Sequence, residues 1–345
     1  MNNILIAAAG TGGHVLPAYR FAKHAKTSGN KIIWIGGRRE IERKYAAKVN
    51  ADFYSLGATG VRGKNIFESS RAIFYLVFST VACIFNFIKT KPDIIVVFGG
   101  YISIPVGIAA IILRKKLFTH EQNTVLGTAN KFLSKFAKIN FLGLPLHHES
   151  VSRAKLVGNP VDVLTQKDKP RDTNKLHIYV TGGSLGSAFI NTNIPSLLCQ
   201  YSEKIQIIHQ SGIGNSDIVK ENYKPFKDVE ISEYIEDPLT TMQNSDFVIS
   251  RAGALTLSEL LMIGRGGIII PLPSAIDNHQ FFNAEYFSGI GMGFIFQEHE
   301  DINKLKNILD ELILNEGFRK FNVDAEDKNA AEKKMLESIL DYGKQ

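Results

Sequence analysis

The sequence predicts an α/β protein of two doubly wound parallel-sheet domains facing a cleft, and three observations predict it. Short apolar runs alternate with helix-period segments along most of the 345 residues, the pattern of strands joined by crossover helices. The alternation starts twice, at Ile4 and at Leu176, each time as a strand running into a glycine-rich turn, AAAGTGGH and VTGGSLG. Charge divides along the same line. Residues 1–158 carry 22 Lys/Arg against 7 Asp/Glu, a balance of +15, whereas residues 159–345 balance at −9.

Candidate strands in the first half are Asn3–Ala8, Lys31–Ile35, Ile94–Phe98 and Lys116–His120. Those in the second are Leu176–Val180, Ile205–His209, Phe247–Ile249 and Gly267–Ile270. The expected domains are 1–158 and 159–345, divided near Gly158-Asn159-Pro160 and the polar stretch 167–175. The length suits two ordinary domains, and 44% hydrophobic residues suffice for two cores. From Asp301 the chain reads as charged helix, and its last helix is expected to be exposed or to pack back on the first domain. Cys83 and Cys199 are the only cysteines, which excludes a disulfide framework or a cysteine-based metal site and fits a reducing compartment. Met1 to Gly13 lacks a basic leader and breaks into glycines, so it reads as a strand and loop rather than a signal peptide. The most apolar stretch, Ala72–Ile88, contains Ser79, Thr80 and Asn86 and leads at once into a strand. It therefore reads as a crossover helix with a greasy outer face, not a membrane span.

In doubly wound sheets ligands bind beyond the carboxyl ends of the strands, and the polar motifs fall there. Gly10-Thr11-Gly12-Gly13-His14 follows the first strand, and such a turn lets backbone N–H groups meet an anion at a helix N-terminus. It is not the dinucleotide fingerprint, because Val15 holds the third glycine position. The second strand ends Ile35-Gly36-Gly37-Arg38, with no acid placed for a ribose, which counts against a dehydrogenase. Gly99-Gly100-Tyr101-Ile102-Ser103 and His120-Glu121-Gln122-Asn123 end two further strands. In the second half, Ser250-Arg251-Ala252-Gly253-Ala254-Leu255-Thr256-Leu257-Ser258-Glu259 opens a helix with small residues and hydroxyls, a pattern suited to phosphates. Glu259 could accept two ribose hydroxyls. Asp277-Asn278-His279-Gln280-Phe281-Phe282-Asn283 supplies amides on one helix face for sugar hydroxyls. No Asp-x-Asp, His/Cys cluster or P-loop occurs, so neither a catalytic metal nor another cofactor is expected.

Taken in order, TGGHVLPA, GGYIS, HEQN, GNP, TGGS, HQSG, SRAGALTLSE and DNHQFFNA resemble the MurG family of peptidoglycan glycosyltransferases. The likeness runs from the first strand to about residue 300. It implies the GT-B fold, two Rossmann-like domains with the donor in the C-terminal one. It also implies transfer of N-acetylglucosamine from UDP-N-acetylglucosamine to undecaprenyl-pyrophosphoryl-N-acetylmuramyl-pentapeptide in cell-wall synthesis. By the same resemblance Thr11, Gly12 and Gly13 would line the cleft near the phosphates, Asn123 would touch the donor sugar, and Ser184 and Ile235 would contact phosphate and uracil. Ala254, Leu255, Thr256, Leu257, Ser258 and Glu259 would hold the diphosphate and ribose. Gln280 would bind sugar hydroxyls with Asn283 behind it, and Tyr101, Asn191 and Arg251 complete the substrate-binding set. His14 resembles the family's candidate general base, with Glu121 as the backup. Two positions depart from the family pattern. Asp162 stands where an arginine usually contacts the donor, and Leu185 replaces a glutamine. A carboxylate cannot do a guanidinium's work at a diphosphate, and Arg251 is the candidate substitute.

The basic first half and the greasy helix together predict peripheral binding to an anionic membrane surface on the cytoplasmic face, rather than to nucleic acid. Nothing in the sequence speaks to oligomeric state. Competing readings are another GT-B UDP-sugar enzyme, such as a 2-epimerase or lipid A disaccharide synthase, and a non-catalytic membrane-associated UDP-sugar sensor.

Overall fold

Runs such as Ile94-Ile95-Val96-Val97 are buried along their whole length, as strands covered by helices on both faces must be. The computed structural model describes residues 1–10, 12–57, 66–162, 175–321 and 330–343, with side chains in the 66–90 helix from Phe74 onward. The chain divides into two units, Met1–Val161 with Asn329–Gln345, and Asp162–Lys328.

The first unit runs β1 (Asn3–Ala7), α1 (Gly12–Thr27), β2 (Lys31–Gly36), α2 (Glu40–Lys48), β3 (Asp52–Ser55), α3 (Ile66–Thr90), β4 (Ile94–Val97), α4 (Ser103–Ile112), β5 (Lys116–Glu121), α5 (Thr128–Leu133), β6 (Ile139–Leu142) and β7 (Ala154–Leu156). The second runs β8 (Leu176–Thr181), α6 (Ala188–Leu198), β9 (Ile205–Gln210), α7 (Ser216–Asn222), β10 (Val229–Ser232), α8 (Pro238–Gln243), β11 (Phe247–Ser250), α9 (Ala254–Ile263), β12 (Gly267–Ile269), α10 (His279–Gly289), β13 (Gly293–Ile295) and α11 (Ile302–Ile313). The final helix, α12 (Ala331–Tyr342), belongs to the first unit.

Both sheets are parallel throughout the described strands. Their orders are β3-β2-β1-β4-β5-β6-β7 and β10-β9-β8-β11-β12-β13. Each sheet therefore reverses direction of growth once, between β1 and β4 and between β8 and β11, and these reversals are where open α/β sheets bind ligands. The doubly wound fold class expected from the sequence is the one observed. Each of the eight candidate strands corresponds to an observed one, while β3, β6, β7, β10 and β13 were not foreseen.

Each sheet carries an apolar cluster on both faces. In the first unit Ile4, Ile6, Trp34 and Val96 pack against α1 on one face, and Leu5, Ile33 and Ile95 pack against α3 and α4 on the other. Helix α12 inserts Met335, Leu336 and Ile339 beside Val15, Ala18 and Ala22 of α1. In the second unit Ile178, Val180 and Ile207 pack against α6 and α11, and Val248 and Ile269 pack against α9 and α10.

Helix α3 spans the stretch expected as a greasy crossover helix. Cys83 and Phe87 point into the core. Phe74, Val77, Phe78, Val81, Phe85 and Ile88 are 44–68% exposed, and their spacing puts them on one stripe. Among the described residues no helix is long and apolar enough to cross a membrane.

Candidate active site

Backbone conformation sets the shape of the first switch point. Gly10, Gly99 and Gly100 have φ of +108°, +88° and +75°, values side chains with a Cβ rarely adopt. The glycine pair at the end of β4 also makes room for His14. A Cβ on Gly99 would lie 3.1 Å from His14 Cδ2, and one on Gly100 would lie 3.7 Å from Nδ1. His14, in the first turn of α1 and partly exposed, thus rests its ring on the GGYIS loop. Gly12 and Gly13 open α1, where first-turn N–H groups have no intrahelical partner. Thr11 lies outside the described residues. Tyr101 is partly buried beside Glu42 and Arg39; burial and the neighbouring carboxylate push its hydroxyl pKa up.

The HEQN segment closes β5 and is almost wholly buried at His120, Glu121 and Gln122. His120 Nε2 donates to Gly158 O at 3.2 Å and Nδ1 accepts from Gln122 Nε2 at 3.0 Å. Burial lowers its pKa to about 4, so it is a neutral imidazole. Asn159 Nδ2 donates to Gln122 O, which ties the GNP segment to this loop. Glu121, the candidate backup base, is held within its own loop. Its Oε1 accepts from the N–H groups of Gln122 and Asn123 and from Asn123 Nδ2, and its Oε2 accepts from Gly127 N and Asn130 Nδ2. A carboxylate offers about four lone-pair sites, and these are spent on the loop. Glu121 therefore fixes Asn123, the residue expected at the donor sugar.

At the second switch point Thr181 Oγ1 accepts the Gly183 N–H at 2.9 Å, and Ser187 caps α6 by accepting from Ile190 N. Ser184 and Leu185 are exposed between them, Leu185 at 81%. Gly186 and Gly212 bring two loops into backbone contact: a Cβ on Gly186 would sit 2.1 Å from Ser211 O. Asn191 proves to be a buried brace, not a surface for substrate. Its Nδ2 donates to Ser211 O and its Oδ1 accepts from His209 Nε2. His209 Nδ1 in turn accepts from the Tyr223 hydroxyl at 3.1 Å, and burial lowers the His209 pKa to about 3.

Helix α9 begins after Gly253 with no side-chain cap, which leaves its first N–H groups available to an anion. Leu255 and Thr256 are partly exposed, whereas Ala254, Leu257, Ser258 and Glu259 are buried. Leu257, fully buried in the core, has only its backbone to offer. Arg251, the candidate replacement cation, is already engaged within the protein. It pairs with Glu298 at 2.5 Å and donates to Ile270 O and Pro271 O, so its charge is neutralised while it joins the loops after β11, β12 and β13. Asp162, the other departure, is exposed.

Gln280 Oε1 accepts from Leu272 N at 3.0 Å, and buried Asn283 donates to Ala252 O, so α10 is tied to the loop before α9. Asp277 and Asn278, just before α10, have φ of +53° and +54°. Two such residues in succession are strained, and strain of this kind collects at functional sites. Gln210 of the HQSG motif was not singled out in the sequence. It is buried, and its Oε1 accepts from both Tyr179 Oη and the N–H of Ile235; it sets the position of Ile235. The position of the motif at a strand's end was the available signal. Among the described residues no group of three His, Cys, Asp or Glu is arranged to hold a metal ion.

Known proteins place this chain clearly. The profile described as the glycosyltransferase family 28 N-terminal domain matches residues 4–141, and that of the family 28 C-terminal domain matches residues 177–339. A relative from Vesicomyosocius okutanii, named UDP-N-acetylglucosamine–N-acetylmuramyl-(pentapeptide) pyrophosphoryl-undecaprenol N-acetylglucosamine transferase, is 34% identical over 98% of this chain and 96% of its own. One of the same name from Pseudomonas savastanoi is 35% identical over 86% of this chain and 85% of its own. The crystal structure of Acinetobacter baumannii MurG covers 99% of this chain and 100% of its own at 28% identity, with a TM-score of 0.83. Ordered motifs, paired switch points and full-length relatives agree: this chain belongs to the MurG family of N-acetylglucosaminyltransferases, within glycosyltransferase family 28.

Proposed function

We propose that the protein transfers N-acetylglucosamine from UDP-N-acetylglucosamine to the 4-hydroxyl of an undecaprenyl-pyrophosphoryl-N-acetylmuramyl-pentapeptide, with inversion at the anomeric carbon. The observation that carries the donor half is the second switch point. There an uncapped helix N-terminus, α9, stands one turn from the buried carboxylate of Glu259, a pairing that suits a diphosphate beside a ribose. Ser184 and the backbone of Ile235 complete the nucleotide contacts, and Gln280, held by Leu272 N, meets sugar hydroxyls. In the first unit Gly12, Gly13 and Tyr101 border the acceptor, and Asn123 is a further substrate contact held in place by Glu121.

In the reaction His14 accepts the proton of the acceptor hydroxyl. The hydroxyl oxygen bonds to the anomeric carbon as the bond to UDP breaks on the opposite face. A positioned base contributes about 10²–10⁴-fold. The charge growing on the departing diphosphate is met by the N–H groups of Ala254, Leu255 and Thr256, fixed dipoles that need no reorganisation.

The acceptor carries a lipid, and the exposed stripe on α3 supports binding at an anionic membrane surface from the cytoplasmic side. An amphipathic helix lays such a face at the headgroup boundary, and each Lys or Arg near the surface adds about 1 kcal/mol. The first half's balance of +15 supplies those charges.

Calorimetric titration tests the donor assignment. UDP-N-acetylglucosamine should bind the wild type, and Glu259→Ala should weaken binding by about 1.5–3 kcal/mol, the worth of charge-assisted hydrogen bonds. Unchanged affinity in that variant would remove Glu259 from the ribose.

A further inference from the structure

Glu42 is a carboxylate with 0% exposure, a rare place for an acidic side chain. It occupies the third position of α2 after the flanking Arg39. A glutamate there ordinarily reaches back to the N–H of its own helix cap. This one reaches 32 residues along the chain instead, where its Oε1 accepts the N–H of Gly10 at 2.9 Å. Arg39 Nη1 donates to the C=O of Gly10 at 3.2 Å. Both backbone polar groups of Gly10 are thus gripped from the β2–α2 turn. Gly36 and Gly37 provide the space, since a Cβ on Gly37 would lie 3.1 Å from Glu42 Oε2 and 2.3 Å from the Tyr101 hydroxyl. Oε2 itself is buried with no hydrogen-bond partner among the described residues.

We propose that Glu42, assisted by Arg39, is a positioning residue for the acceptor half of the reaction. Gly10, at φ +108°, occupies backbone space open almost only to glycine, and glycine left alone samples much else. Holding its N–H and C=O fixes the turn that leads into Gly12, Gly13 and His14. The carboxylate also lies close enough to the Tyr101 hydroxyl to help raise its pKa. A buried carboxylate is a poor device for stability, since apolar replacements of similar volume often serve as well. Its worth is geometric, because small misplacements of reacting groups cost large factors in rate. The inference rests on the acceptor binding at the first unit.

The test compares wild type, Glu42→Ala and Glu42→Gln by steady-state kinetics with a soluble-tailed muramyl-pentapeptide pyrophosphate and UDP-N-acetylglucosamine. Amide hydrogen exchange of residues 7–16 is followed in parallel. Glu42→Ala should cut kcat/KM for the acceptor at least about tenfold, leave the UDP-N-acetylglucosamine Kd within about twofold, and speed exchange in that segment. Glu42→Gln keeps an accepting oxygen and should recover most of the loss. A fall in rate that only matches a loss of active protein, counted by the stoichiometry of UDP-N-acetylglucosamine binding, would overturn the proposal. Unchanged exchange in Glu42→Ala would overturn it too. A wild type that never turns over this acceptor would instead overturn the reading of the reaction, and the exchange result would still judge the grip on Gly10.

Discussion

His120 and His209 are neutral for the same reason: each ring is buried, donates from Nε2 to an oxygen and accepts at Nδ1. Burial holds their pKa values at about 4 and about 3, below the unfolded value near ~6.5. The unfolded chain therefore binds more protons below that value. The stability these rings contribute is complete above pH ~6.5 and is lost as pH falls toward the folded values, at about 1.4 kcal/mol per pH unit for each ring. Urea midpoints should drop between pH 7 and pH 5, and His209→Gln should flatten part of that slope. A midpoint that is level across this range in the wild type would contradict the neutral assignments. At this scale the sequence located the polar clusters but not the direction each side chain takes. Glu121, Asn191 and Arg251 lie where a ligand site was expected, yet their hydrogen bonds run into the loops. Only the paths of the chain around them decide which groups face outward. Glu42 was hidden further, because a helix-start glutamate ordinarily needs no distant partner.

Element by element, the central strands of each sheet were legible, and those toward the margins, the inner strand β6 among them, were not. Central strand β4 is an unbroken apolar run, and β1 is apolar and buried after Asn3. The margins β3 and β7 read Asp-Phe-Tyr-Ser and Ala-Lys-Leu, half-buried or exposed, and so lack the run that marks a strand covered on both faces. Helix α3 was legible because its stripe is apolar beyond what its core contacts use. Replacing Phe78 and Phe85 together with glutamate should abolish binding to vesicles of anionic lipid. It should leave UDP-N-acetylglucosamine affinity unchanged, because these side chains are exposed and lie in the other unit from α9. Vesicle binding that survives the pair would move the membrane surface away from α3.

Across the whole molecule, the chain leaves the first unit at Val161 and comes back to it at Asn329, so the first unit needs both ends of the sequence. Three buried side chains of α12 join its core, and Ile339→Ala should cost about 2–5 kcal/mol there. Two units with separate cores should melt in two transitions. Saturating UDP-N-acetylglucosamine should raise only the one belonging to the second unit, by about 2.7 kcal/mol at a hundredfold excess over Kd. Ile339→Ala should lower only the other. A single transition shifted alike by both would contradict this division of labour.

The central claim is transfer to a lipid-linked muramyl acceptor. The measurement that tests it most directly follows UDP release and disaccharide formation together, with purified protein, UDP-N-acetylglucosamine and a soluble-tailed muramyl-pentapeptide pyrophosphate. The account predicts one β-linked disaccharide for each UDP, and a loss of about 10²-fold or more in His14→Ala. Donor binding without disaccharide, or UDP release that does not depend on the acceptor, would contradict it.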